Sequence, residues 1–167
     1  MTARPASPKD AASIAAIYNQ GIEDRIATFE TRLRTAEDIQ SWFDGQHPIA
    51  VVETGDTQMS QVIAFAATSA YRPRACYRGV AELSVYVERD FRRQGAGRLA
   101  LAHIIQLSEA AGFWKLLSRV FPENHGSRAL VASLGFREVG TYEKHGSLDG
   151  VWRDVLIVER LIPANLA

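Results

Sequence analysis

Leu83-Ser84-Val85-Tyr86-Val87, followed by Glu88-Arg89-Asp90-Phe91 and then Arg92-Arg93-Gln94-Gly95-Ala96-Gly97-Arg98, is the stretch on which the reading of this chain turns. Its first part has the β-branched and aromatic character of a strand. A short basic turn follows, and two glycines then open an apolar helix. Because glycine has no Cβ, successive backbone N–H groups can turn inward on one point, where the helix N-terminus adds partial positive charge. That geometry suits a pyrophosphate, so a phosphate-bearing cofactor is expected. Gly95-Ala96-Gly97-Arg98-Leu99-Ala100 also satisfies the G-x-G-x-x-G/A pattern of dinucleotide folds. A Rossmann unit, however, would run its strand directly into the glycines and place an acidic residue about 20 positions later. Here Glu88 to Arg93 intervenes, and the unit sits mid-chain without a repeat.

Working outward, 167 residues suffice for one domain with a real core, and the expected boundaries are 1–167. Nineteen basic residues balance nineteen acidic ones, so no global field draws in nucleic acid or an anionic membrane. Any charged ligand must then be recognised by local clusters. Cys76 is the sole cysteine, which excludes an intrachain disulfide. His47, His103, His125 and His145 lack metal-ligand spacing, so no metal is expected. With no apolar run of about 20 residues and no signal-peptide pattern, the expected setting is the cytoplasm, without membrane partners.

Local signals divide the chain further. Ser7-Pro8-Lys9-Asp10 starts a helix whose Ile14, Ile17, Tyr18 and Ile22 follow helical spacing. Thr35 to Asp38 repeats the cap before Ile39, Trp42 and Phe43, and Gly45 ends that helix. Ile49 to Glu53 and Val62 to Thr68 read as strands about a polar turn at Gly55-Asp56. Ala70 to Gly79 is a loop, Val80 to Val87 a strand centred on Glu82, and Arg98 to Ala111 a mostly apolar helix. Lys115 to Phe121 predicts another strand, Asn124 to Gly135 a helix with a glycine stop, and Phe136–Tyr142 and Val151–Glu159 two closing strands. Between these last two, His145 to Gly150 is expected to be a loop. The whole is an α/β domain with a mixed sheet.

The strand, basic turn and G-x-G helix together resemble the acetyl-coenzyme A motif of the GNAT acyltransferases, Gln/Arg-x-x-Gly-x-Gly/Ala, at Arg92, Gly95 and Gly97. Asn124-x-x-Ser127 followed by Leu134-Gly135-Phe136 resembles a second signature of that family. Tyr18-Asn19, Thr28-Phe29, Arg72-Pro73, Tyr77-Arg78-Gly79, Glu82, Ser84 to Val87 and Trp152-Arg153-Asp154 are similar to the phosphinothricin, arsinothricin and methionine-sulfoximine N-acetyltransferases, with Ala27 to Thr31 closest to the arsinothricin branch. The resemblance implies the GNAT fold, a central mixed and mostly antiparallel sheet flanked by helices. It also implies acetyl-coenzyme A as cosubstrate, a small amino-acid acceptor and a homodimer. Within it, Val85, Tyr86 and Val87 would run along the pantetheine arm, with Val85 N–H stabilising the oxyanion. Arg92, Arg93, Gln94, Gly95, Ala96, Gly97 and Arg98 would hold the pyrophosphate, Asn124 would contact the pantetheine arm or the thioester region, and Ser127 would complete the cofactor site.

Acetylating an amine that is almost wholly ammonium at neutral pH costs roughly 4 kcal/mol at about 1.4 per pKa unit, unless a base takes the proton. Glu82 is the candidate, since Val80, Ala81, Leu83 and Val85 around it are apolar and would raise its pKa; the alternative is a glutamate on a strand edge facing water. Arg72, Arg74 and Arg78 cluster just before it and suit an acceptor's anionic group, with Pro73 in the same loop and Phe29 and Tyr77 as apolar walls. A solvated basic loop is the other reading of that cluster. Val131 stands where relatives carry a Tyr or His acid, so the acid stays unassigned; a thiol of pKa about 8.5 can leave with a proton from water. Tyr142 is a weaker candidate than its role in packing. The expected activity is acetylation of the α-amino group of a glutamate-like toxic amino acid, conferring resistance. Acetylation of a protein N-terminus or polyamine, or coenzyme A sensing without turnover, are the alternatives.

Overall fold

Strand β4 (Val80–Val87) is the axis of the architecture seen in the computed structural model, which describes residues 1–55 and 60–166. It pairs antiparallel with β3 (Gln61–Ala70), which pairs with β2 (Ile49–Thr54), and β1 (Thr2–Pro5) closes that side. On its other side β4 pairs parallel with β5 (Lys115–Val120), followed by β7 (Val151–Leu161) and the edge strand β6 (Arg137–Leu148). The sheet among the described residues is therefore mixed and mostly antiparallel, in the order β1-β2-β3-β4-β5-β7-β6.

Side-chain alternation gives the sheet two different faces. Ala50, Val52, Ala64, Ala66, Ala81 and Leu83 form one, beneath Ala100, Leu101 and Ile104 of the long helix Ala96–Ala110. Alanine at four of those sheet positions lets the helix approach closely. On the other face α1 (Ala11–Glu23) and α2 (Ala36–Gln40) set Ile14, Ile17 and Ile39 onto Val51, Phe65 and Ala67. The long helix is α3, and α4 (His125–Ala132) follows β5. Phe121, Leu148, Val155 and Ile157 make a separate small core, against which Phe29 packs.

Four details differ from expectation. The N-terminal strand β1 was not anticipated; it is short and is fixed by Arg4, which pairs with Asp10 at 2.8 Å and with Glu53. Helix α3 begins at Ala96, two residues before Arg98, because Gly95 takes a left-handed φ of +93° and serves as its N-cap. Trp42 and Phe43 lie beyond the end of α2, yet both still pack against the α1 core from the turn that follows. Finally, His145 to Leu148 is strand, not loop: the hairpin turns on Asp149 and Gly150 alone, with φ of +49° and +77°. Two left-handed residues match a type I′ turn, whose twist suits a hairpin. The turn expected at Gly55-Asp56 lies partly outside the described residues, since Asp56 is not among them.

Candidate active site

β4 and β5 pair only over Val80–Lys115, Ala81–Leu116 and Glu82–Leu117. Beyond Glu82 they part. The Ser118 hydroxyl donates to the Leu83 carbonyl at 2.8 Å, and the Arg92 Nε donates to the Val87 carbonyl at 3.2 Å. Glu88 N–H instead turns to β3, reaching the Ile63 carbonyl at 2.8 Å. Since N–H and C=O of one residue leave an antiparallel strand on the same side, and alternate residues point oppositely, Val85 directs both groups into the gap. A small cleft of about 60 Å³ follows that gap, lined by Val85, Ser118, Arg119, Asn124 and Ser127 among others.

The turn before α3 is shaped by backbone conformation. Arg93 and Gly95 both have positive φ, +62° and +93°. The first intrahelical donor is Leu99, bonded to the Gly95 carbonyl at 3.1 Å, which leaves the N–H groups of Ala96, Gly97 and Arg98 without helical partners. Gly97 is favoured for a different reason, close packing: a Cβ there would meet Val87 Cγ2 at 3.2 Å and Leu130 Cδ2 at 3.3 Å. These N–H groups and the helix terminus fit a diphosphate.

The arginine side chains of this turn are arranged otherwise than expected. Arg92 forms an ion pair with Asp24 at 2.7 Å besides its bond to the Val87 carbonyl, and Arg98 donates to the Ser133 hydroxyl at 2.8 Å. Both brace the turn. Arg93 is exposed and has no carboxylate partner among the described residues, while Gln94 donates to the Asp90 carbonyl at 2.9 Å. Burial works to raise the Asp24 pKa, but the hydrogen bonds and charges of Arg89 and Arg92 outweigh it and hold the carboxyl below its usual range.

Asn124 caps α4, accepting from Ser127 N–H at 3.0 Å, and donates to the Ile26 carbonyl at 3.1 Å. It thus ties the α1–α2 linker to the cleft wall. Val131 is buried in the core below α3, and Tyr142 is exposed on β6 with its ring 4.7 Å from His145. Tyr86 packs between Tyr18 and Phe65, at 4.9 and 5.4 Å; its ring lies where a Cβ on Gly21 would come within 2.7 Å.

Glu82, Ser84 and Tyr86 share the β4 face opposite α3. On that face Glu82 sits beside Leu117 but also has an ionic partner that was not expected: its Oε2 accepts from Arg119 Nη1 at 2.5 Å. Arg119 is the residue that sequence reasoning missed. Its only signal was a lone charge inside the apolar strand Lys115 to Phe121, the counterpart of Glu82 in β4.

The loop feeding β4 holds Arg72, Arg74 and Arg78, all exposed and none with a carboxylate partner among the described residues. Arg72 lies 5.2 Å from the centre of the Tyr71 ring and Arg78 5.7 Å from that of Trp114, and Tyr77 meets Tyr71 edge-on. Phe29 is elsewhere: its ring contacts Phe121 at 5.0 Å and lies where a Cβ on Gly146 would come within 2.8 Å. Phe29 and Tyr77, expected to be walls of one pocket, therefore have separate neighbours. Beside the shared β4 face, Tyr18, Glu30, Arg34, Trp42, Ser69 and Ser84 line a second, wider cleft.

Comparison with known proteins places this geometry. Residues 14–136 match the acetyltransferase (GNAT) family. The L-methionine sulfoximine/L-methionine sulfone acetyltransferase of Pseudomonas paraeruginosa is 29% identical, over 93% of this chain and 91% of that protein. A phosphinothricin acetyltransferase from Sinorhizobium meliloti, solved in complex with AcCoA, superposes with a TM-score of 0.86 at 28% identity, covering 96% of this chain and 88% of that one. The ribosomal-protein-alanine N-acetyltransferase of Brucella melitensis superposes at 0.89 and 30% identity, covering 97% of this chain and all of that one.

Proposed function

The chain belongs to the acetyltransferase (GNAT) family, and from that premise we propose that it moves an acetyl group from acetyl-coenzyme A to the α-amino group of a glutamate-like amino acid of the phosphinothricin, arsinothricin or methionine-sulfoximine type. One observation carries the reading. Glu82 stands where β4 and β5 part, with the Val85 backbone on one side and, in the loop just before it, Arg72, Arg74 and Arg78 without carboxylate partners among the described residues.

In this reading the diphosphate lies on the N–H groups of Ala96 to Arg98, with Arg93 adding charge, and the thioester arm lies along Val85 to Val87. Glu82 takes the ammonium proton, the amine nitrogen bonds to the acetyl carbon, and the carbon–sulfur bond breaks to release the thiolate. Val85 N–H is aimed to stabilise the carbonyl oxygen as charge develops on it. With Val131 apolar, the thiolate collects its proton from water. Acetylation removes the ammonium by which such an amino acid imitates glutamate, and so detoxifies it in the cytoplasm. A second copy fits against β6 and β7, where Val139, Tyr142, Val151 and Trp152 are all exposed on the edge hairpin.

The likeness to a ribosomal-protein-alanine acetyltransferase favours a second reading, a protein N-terminus as acceptor. Thiol release with phosphinothricin, arsinothricin, methionine sulfoximine, spermidine and an alanine-initiated peptide separates the two. We expect the three amino acids to rank first in kcat/KM. A peptide that outranks them would replace this reading with the second.

A further inference from the structure

The Glu82–Arg119 ion pair has the charge pattern of an amino-acid headgroup in reverse. An α-amino acid carries its ammonium and its carboxylate on a single carbon; the protein sets a carboxylate and a guanidinium 2.5 Å apart on neighbouring strands. We propose that Arg119 is the receptor for the acceptor's α-carboxylate, working beside Glu82, which receives the ammonium. The inference rests on the function proposed above and adds how the substrate class is selected.

Position and freedom both support it. Arg119 follows Ser118, whose hydroxyl marks the point where β4 and β5 separate, and among the described residues it is the one charged residue lining the cleft that Val85 faces. It therefore reaches the place where the acceptor amine must meet the acyl carbon. The side chain is 43% exposed, against 25% for Glu82, so an incoming anion can approach it. Only Nη1 is engaged, by Glu82; Nη2 and Nε have no partner among the described residues. A planar guanidinium can hold two carboxylates on different edges, which a lysine ammonium would do with less geometric control. Neighbouring arginines are otherwise committed: Arg153 to Glu123 at 2.6 Å, Arg25 to Asp149 at 3.0 Å and Arg34 to Glu30 at 2.5 Å.

When the zwitterion docks, four charges alternate in sign around a ring, and the pair need not be separated. A polyamine or a peptide N-terminus offers an ammonium without the adjacent carboxylate and gains only half of this. The arginine loop then remains available for the group at the far end of the acceptor side chain.

Steady-state kinetics of wild type, Arg119→Gln and Arg119→Lys should be measured with phosphinothricin and with its α-carboxamide. Wild type is expected to prefer the acid by roughly ten- to a hundredfold in kcat/KM. Arg119→Gln should lose that preference mainly through KM, with the KM for acetyl-coenzyme A unchanged, and Arg119→Lys should recover part of it. Melting curves with acetyl-coenzyme A establish that each variant is folded. If Arg119→Gln loses equally on acid and carboxamide, or keeps the preference, the assignment is overturned. Wild type inactive on every amino acid tested overturns the proposed function itself, a result distinct from an active enzyme indifferent to the carboxylate.

Discussion

The turn before α3 and Glu82 on the β4 face opposite that helix lie toward opposite ends of β4, and they are built in different ways. At the turn, binding capacity resides in the main chain: Arg93 and Gly95 are left-handed, three N–H groups are free of helical bonds, and Arg92 and Arg98 are braces. On the β4 face the capacity resides in side chains. Glu82 and Arg119 come from different strands, and the loop before them presents three arginines without carboxylate partners among the described residues. The difference suits two kinds of ligand. A diphosphate is the same in every acyl donor, so a fixed backbone cradle serves; an acceptor varies, and side chains can be exchanged without disturbing the sheet.

Three variants probe that contrast, the largest effect first. Glu82→Gln should lower kcat roughly a hundred- to ten-thousandfold while leaving the Kd for acetyl-coenzyme A, measured by calorimetry, unchanged. A parallel loss of donor affinity would mean that the two ends are not separable. Gly97→Val should do the reverse. Its branched side chain meets Val87 and Leu130, so donor affinity should fall together with about 1–3 kcal/mol of stability, read from denaturant melts. Asp24→Asn should have the smallest effect, about 0.5–1 kcal/mol at neutral pH, because the arginines it anchors are partly exposed. Asp24 is held below its usual pKa once Arg89 and Arg92 outweigh burial, so its contribution is complete above the unfolded value of about 3.9 and is lost as pH falls through the folded value. The variant should accordingly show a flatter acid limb in a plot of stability against pH.

The same contrast explains what could be read from the sequence. Gly95 and Gly97 are local signals, because the turn they permit is made by their own neighbours; strand alternation and helix spacing are local in the same sense. The Glu82–Arg119 pair is not. Those residues are 37 positions apart and meet only because β5 returns parallel to β4 after α3. Phe29 was visible as an isolated aromatic, but its partner Phe121 and its seat on Gly146 depend on a hairpin that closes late in the chain. The Asp149-Gly150 dipeptide was a readable hairpin signal, obscured by Gly146 and Ser147 just before it, which also read as loop. Arg92 shows the opposite case: the motif drew attention to it, whereas its brace, Asp24, lies at the end of α1.

The brief pairing of β4 with β5 also has a mechanical consequence. Four strands lie on one side of that seam and three on the other, and three residue pairs, the Ser118 hydroxyl and the Glu82–Arg119 ion pair fasten them along it. The seam is thus the most sparsely paired in the sheet, and a molecule lying in the gap would touch both half-sheets at once. If the donor lies in that gap as proposed, seating it and stiffening the frame that aligns the acceptor become a single event.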